Sequence, residues 1–193
     1  MRQFNKIFGI GRSRTGTSSL DKALNLLGIK SFHVASKLTE YIKINKELGY
    51  SLLHGLERFR GYSDHPIDWL YKELDKMYPG SLFIYTRRDD REAWVRSMWS
   101  LPYHLEKGEE IWHKEGEESK WVESYETHEK EVREYFKDRD NYLELDITKD
   151  PNWEPICEFL EIYAPKKKFP HMAQSQVSAE VAKKVVKEVS LAN

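Results

Sequence analysis

The stretch Gly9-Ile10-Gly11-Arg12-Ser13-Arg14-Thr15-Gly16-Thr17-Ser18-Ser19-Leu20 restricts this chain more than any other. It closes an apolar run, Lys6 to Ile10, and opens a segment in which Leu20, Ala23, Leu24 and Leu27 recur at helical spacing. A buried strand that turns through glycines into a helix is the opening unit of a parallel α/β sheet. The unpaired N–H groups at such a helix start favour an anion, as does the helix dipole. Gly16 lets the backbone approach that anion closely. Thr15, Thr17, Ser18 and Ser19 add hydroxyl donors, and Arg14 adds a permanent planar cation. The usual triphosphate loop reads G-x-x-x-x-G-K-[ST]. Here Thr17 follows the last glycine, and the cation, Arg14, stands two residues before it. The loop is a cradle for a phosphate or a sulfate. Thr17 or Ser18 is expected to cap the helix, and Gly28 to end it.

Beyond this unit, residues 29–34, 81–88 and 142–147 read as strands. Residues 36–48, 66–79, 89–101, 120–138 and 153–160 read as helices, with Pro66 at the start of the second. The segment "RFRGYSDHP" (58–66) reads as a loop. The expected fold is a three-layer α/β sandwich around a mostly parallel sheet, with the ligand at the carboxyl ends of the strands. Two strand ends are rich in ligand groups, Arg12–Ser19 and Arg87–Asp90, and they converge if their strands are neighbours. Residues 1–193 are expected to form one domain, with a charged, helical or mobile insertion on the acceptor side around 103–125 and a helical tail over 174–193.

A formal net charge of -1 gives no basic field of the kind that draws nucleic acid. A single cysteine, Cys157, forms no internal disulfide, which suits a reducing compartment; it reads as a small buried apolar residue. No stretch reaches the roughly 20 apolar residues of a membrane span, and the N-terminus has no leader pattern. The expectation is a cytoplasmic, unprocessed protein. No carboxylate placed to hold Mg²⁺ follows an apolar strand; residues 81–88 end instead in two arginines. The cluster "HKEGEE" from His113 lacks the spacing of a metal site. A metal-free ligand with two separate anionic ends fits better than a triphosphate.

"KIFGIGRSRTGTSSLDKALNLLG" resembles the 5′-phosphosulfate loop of sulfotransferases that use 3′-phosphoadenosine 5′-phosphosulfate (PAPS). "FIYTRRDDREAWVRSMWS" is similar to their 3′-phosphate segment, and the resemblance runs over roughly residues 5–171. It implies transfer of a sulfuryl group to a hydroxyl or amine of a small molecule, glycan or peptide. By the same resemblance, Arg12, Ser13, Arg14, Thr15, Gly16, Thr17 and Ser18 hold the 5′ end of the donor. Arg14 takes the place of the loop lysine of cytosolic sulfotransferases; tyrosylprotein sulfotransferases have an arginine there. Arg88 and Ser97 match the pair that grips the 3′-phosphate. Ser97 lies nine residues after Arg88 instead of eight, so either the helix starts one residue later or Arg87 shares the role.

The catalytic base has three candidates. His33 closes the second strand, about where tyrosylprotein sulfotransferases carry a carboxylate; Asp64 and His65 stand in the loop before Pro66. Trp94 and Trp99 read as core and not as an adenine platform, Trp69 as either core or substrate contact. Asp146, His113 and His128 read as structural or solvated. Two other functions compete: a Mg²⁺-dependent kinase, and a non-catalytic nucleotide-binding module on the same scaffold.

Overall fold

The computed structural model describes residues 1–33, 35–99, 103–104, 110–111 and 118–172. Five short strands form a wholly parallel sheet: β1 (Ile7–Gly9), β2 (Ser31–Phe32), β3 (Gly61–Ser63), β4 (Leu82–Thr86) and β7 (Tyr142–Leu145), in the order β2-β3-β1-β4-β7. Side chains alternate across the sheet, as the pleat requires. Phe8 therefore faces the same way as its cross-strand partners Tyr62 and Phe83, with ring centroids 5.9 and 5.4 Å away. That face is covered by Leu38 and Ile42 of α2 (Ala35–Glu47), by Ile67, Tyr71 and Leu74 of α3 (Ile67–Met77), and by Val132 and Phe136. Ile7, Leu82 and Ile84 point to the opposite face. There they meet Leu20, Ala23 and Leu24 of α1 (Thr17–Leu26), and Ile156, Cys157 and Leu160 of α6 (Glu154–Leu160). Two apolar helix layers on a parallel sheet make the expected sandwich, and burial pushes the Cys157 thiol pKa up.

Two local readings are corrected. Residues 61–63 are a strand, β3, and it lies inside the sheet between β2 and β1. Three residues with one apolar side chain carry no periodicity, so no local pattern announces them. Their fitness is steric and long-range. A Cβ on Gly61 would sit 2.8 and 2.9 Å from the Ser31 side chain, and one on Gly9 would sit 2.7 Å from Ser63 Cβ. Only small residues let these strands pair here.

The second correction concerns the start of α1. Its N-cap is Gly16, in the left-handed region at φ 99, with no side-chain cap; Thr17 is already helical. The C-terminus follows expectation. Gly28 has φ 79, its N–H donates to Asn25 O, and that of Ile29 donates to Leu24 O, which closes the helix in a Schellman motif.

Packing divides the chain into two compact units. The sheet and its helices form Met1–Asp89 with Val132–Ala173. In the other, α4 (Arg91–Met98) is capped by Asp90, whose side chain accepts from Ala93 N at 2.8 Å. Trp94 is buried there 4.6 Å from Tyr125 of α5 (Glu118–Tyr135), and Arg91 bonds Glu129 at 2.6 Å. Trp99 packs on Trp121, so both tryptophans contact aromatic neighbours. A short antiparallel pair, β5 (Tyr103–His104) with β6 (Glu110–Ile111), stands in the stretch expected to be helical or mobile. His113 and the expected tail helix over 174–193 lie outside the described residues. Among the described residues no helix is long and apolar enough to cross a membrane.

Candidate active site

The chain leaves β1 toward β2 on one side, and leaves β4 toward β7 on the other. The crevice beyond the carboxyl ends of β1 and β4 is thus the switch point of the sheet. The two arginine-bearing strand ends converge there, because β1 and β4 are neighbours. The loop is pinned to β4 by backbone and hydroxyl bonds. Ile10 N donates to Ile84 O at 2.9 Å. A Cβ on Gly11 would lie 2.0 and 2.2 Å from Thr86 Oγ1 and O, so only glycine fits. Thr15 Oγ1 donates to Arg12 O at 2.6 Å and shares a second bond, at 2.8 Å, with Thr86 Oγ1. Thr15 N also donates to Arg12 O, so this residue's polar groups shape the loop from inside. Ser19 Oγ accepts from Met172 N.

Arg14 and Asp64 both adopt left-handed backbone, at φ 69 and φ 82, which is costly for residues with a Cβ. Burial, and then the charge of Arg88, hold the Arg14 guanidinium below its usual pKa. Two cations acting on each other at a strand-end crevice form an environment that an anion relieves. Arg87 turns elsewhere: its Nε lies 2.8 Å from Glu144 Oε1, and it also pairs with Asp89. Glu144 in turn accepts from Arg133 and Tyr142. Burial pushes the Glu144 carboxyl up, but these hydrogen bonds and charges outweigh it and hold it below its usual range. Ser97 stands half-buried in the last turn of α4, in the other unit.

Two rival bases are brought together. His33, just past β2, shares a 3.0 Å hydrogen bond between Nδ1 and Ser63 Oγ, and another between Nε2 and Ser18 Oγ. Asp64 Oδ2 lies 3.7 Å from the same Nε2. Asp64 Oδ1 accepts from His65 N at 2.9 Å and, more weakly, from Ser13 Oγ at 3.5 Å. The third candidate, His65, is half exposed, with its Nδ1 3.3 Å from Asp68 Oδ1.

Asp68 and Ser63 are site residues that local reading misses. Asp68 is 3% exposed, and its Oδ2 accepts from Arg12 at 3.2 Å. Its position beside Ile67, Tyr71 and Leu74 on the buried face of α3 was the available clue. An acidic residue on an apolar helix face must have a polar partner. Ser63 carried no such mark, since its strand is visible only through its neighbours. Trp69 is not core: it is 58% exposed, with the Arg12 guanidinium 4.2 Å from its ring centroid. Asp146 is structural, accepting from Asp89 N, Thr148 N and Lys149 N.

The family model for a sulfotransferase domain matches residues 6–113 and 103–177. The chain belongs to the sulfotransferase domain family. Within the wider set of similar proteins, "Ava biosynthesis cluster protein M" of Aspergillus versicolor is 27% identical over 216 residues, covering 88% of this chain and 81% of that protein. The crystal structure of a sulfotransferase from Alicyclobacillus acidocaldarius superposes with a TM-score of 0.53 at 17% identity, over 99% of this chain and 96% of that one. That likeness concerns the fold. In this sulfotransferase-domain protein, the family match covers the Gly9–Leu20 loop, the arginine-bearing end of β4, and the His33–Asp64 pair.

Proposed function

We propose that this protein transfers a sulfuryl group from PAPS to an acceptor hydroxyl or amine. The observation that carries the reading is His33. Its ring is hydrogen-bonded to Ser18 at the start of the loop helix and lies beside Asp64. A proton acceptor is thereby fixed next to a loop suited to an anion. The donor set fits a phosphosulfate: two arginines, a glycine-fronted helix start and hydroxyls; among the described residues no group of three or more His, Cys, Asp or Glu side chains could hold a metal ion. Arg14, Gly16, Thr17 and Ser18 would hold the 5′ end, and Arg88 the 3′-phosphate. Arg88 is chosen for the 3′-phosphate because its charge acts on Arg14 in the same crevice; Arg87 is ion-paired to Glu144 and Asp89.

Bound there, the donor supplies an activated sulfuryl group: the acceptor oxygen or nitrogen bonds to sulfur while the bridging S–O bond breaks, and the electron pair leaves with the phosphate. The protein's residues do the rest. His33 takes the acceptor's proton at Nε2, which requires the Ser18 hydroxyl to give way or to relay it. Ser63 holds the opposite nitrogen, which fixes the tautomer and the ring plane. Asp64 stabilises the imidazolium that results. Arg14 stabilises the charge that grows on the bridging oxygen; because it is partly desolvated, its effect there is larger than at an open surface.

Calorimetric titration with 3′-phosphoadenosine 5′-phosphate tests this reading. Binding is expected without Mg²⁺, and with a rise in Tm; at about 100 times the dissociation constant, linkage gives roughly 2.7 kcal/mol. No binding of that nucleotide, together with tight binding of ATP–Mg²⁺, would replace it with phosphoryl transfer.

A further inference from the structure

Along α2, Lys37, Tyr41, Ile44 and Leu48 recur at intervals of four, three and four residues, so they follow one line on the helix. The helix turns Leu38 and Ile42 into the core, and the Asn45 amide donates to the carbonyls of Leu52 and His54. The line of Tyr41, Ile44 and Leu48 turns outward instead, and these side chains are 41%, 44% and 61% exposed. One exposed apolar side chain is ordinary, whereas three in a row on one helix face mark an interaction surface. Beyond the helix end, Tyr50 is also exposed, its ring 4.5 Å from that of His54. Glu40, Lys43 and Glu47 follow one side of the line. Lys46, farther round, pairs with Glu73 of α3 at 3.1 Å; Lys37, Glu40, Lys43 and Glu47 make no ion pair among the described residues.

We infer that this face of α2 binds the same face of a second copy of the chain, with the two helices antiparallel about a twofold axis. The order of the charges selects that occupant. A contact between identical faces must be complementary to itself, so that each residue meets a partner that it serves in return. With the axis level with Ile42 along the helix, Lys37 comes opposite the partner's Glu47, and Glu40 opposite the partner's Lys43. The same register sets Tyr41 against the partner's Ile44, and the Lys37 stem against the partner's Leu48. All four pairings fall within one residue's rise of level, about 1.5 Å. A parallel pairing fails, because it places Lys37 against its own copy on the seam. The two lysines and two glutamates cancel, so the face lacks the Lys- and Arg-rich border that draws a helix to an anionic bilayer. A contact of about three helical turns is small, and the dimer is accordingly weak and dependent on concentration. The inference does not rest on the proposed sulfuryl transfer.

Sedimentation velocity of the full chain, over a roughly 100-fold range of micromolar concentrations, tests this surface. The expected result is a reversible monomer–dimer equilibrium. Ile44→Glu should weaken it about 100-fold or more, because symmetry places the new charge in the contact twice. Lys37→Glu and Glu47→Lys should each weaken it about 10-fold, and the double variant Lys37→Glu/Glu47→Lys should restore it. That restoration stays decisive where a single variant loses stability, since residues 37 and 47 make no pair within one copy that a charge exchange could repair. A dimer that persists in Ile44→Glu, or a double variant no stronger than the single ones, overturns the inference. A wild type that stays monomeric at every concentration also overturns it; if that monomer sediments with phosphatidylcholine vesicles, the face belongs to a bilayer.

Discussion

Two segments meet at the same end of the sheet and are built in opposite ways. Gly9–Leu20 carries its chemistry in consecutive residues: glycines that allow close approach, a left-handed Arg14, and a helix start. Gly61–Trp69 carries its chemistry through partners drawn from elsewhere. Ser63 meets His33, Asp64 meets His33 and Ser13, and Asp68 meets Arg12. In the proposed transfer, the first segment would bind charge with backbone groups that any sequence possesses once it turns correctly. The second would handle a proton with side chains, and these are useful only when long-range pairing sets their distances. A glycine-bearing strand–loop–helix is therefore legible as a motif, whereas a His–Asp pair beside it is not.

If the two regions divide charge from proton handling, Arg14→Ala should produce the largest loss. Turnover should fall by about a thousandfold, the scale of removing a charge-stabilising donor from a transition state. Arg88→Ala should instead weaken nucleotide binding and spare turnover at saturation, because the charge on the 3′-phosphate does not change during transfer. Single-turnover rates and calorimetry on both variants separate the two effects; equal losses of turnover in both would erase the distinction.

His33→Ala comes next, with about a 100-fold loss of turnover and unchanged nucleotide affinity. Asp64→Asn should cost less, about 10-fold, if it stabilises the imidazolium and does not itself take the proton. A collapse in Asp64→Asn, with His33→Ala fully active and both proteins equally stable to urea, would exchange the two roles.

The steric contrast is smaller and is read as stability. In Gly11→Ala the new Cβ meets a backbone oxygen that has no room to yield, for a cost of about 2 kcal/mol or more. In Gly61→Ala it meets the Ser31 side chain, which can shift, so about 1 kcal/mol is expected. Urea midpoints give both values, and a larger cost at Gly61 would mean that β3 is packed more rigidly than the loop.

The last effect tests how α3 is held at the end away from Asp68. Asp75 accepts from Arg139 at 2.8 and 3.0 Å and from Tyr135 at 2.8 Å. Burial pushes its carboxyl pKa up, but the hydrogen bonds from Arg139 and Tyr135 outweigh that and hold it below its usual range. The folded state thus binds this proton less readily than the unfolded chain. The stabilisation is complete above the unfolded value of roughly 3.9, and is lost as pH falls through the lower folded value. Asp75→Asn should cost about 1 kcal/mol near neutral pH, and the gap to wild type should close in acid. A gap independent of pH would mean that lost packing, not charge, sets the cost.

The amino-acid sequence by itself determined the strand–loop–helix of residues 7–26, the buried strand at 82–86, and the alternation that makes a parallel sandwich. Each of these is written in neighbours: apolar runs, helical spacing, glycines at the turn and at Gly28. It also placed Arg14 and Arg88 at strand ends. Only the tertiary structure decided that residues 61–63 are an interior strand, that His33 and Asp64 share one site, and that Arg87 belongs to Glu144 while Arg12 belongs to Asp68. The reason is the range of the forces involved. A helix turn or a glycine bend satisfies its backbone within a few residues, so it leaves a local mark. A three-residue strand, a hydroxyl on an imidazole and a buried ion pair are satisfied by partners 15 to 56 positions away, and their residues look ordinary until the sheet brings them together.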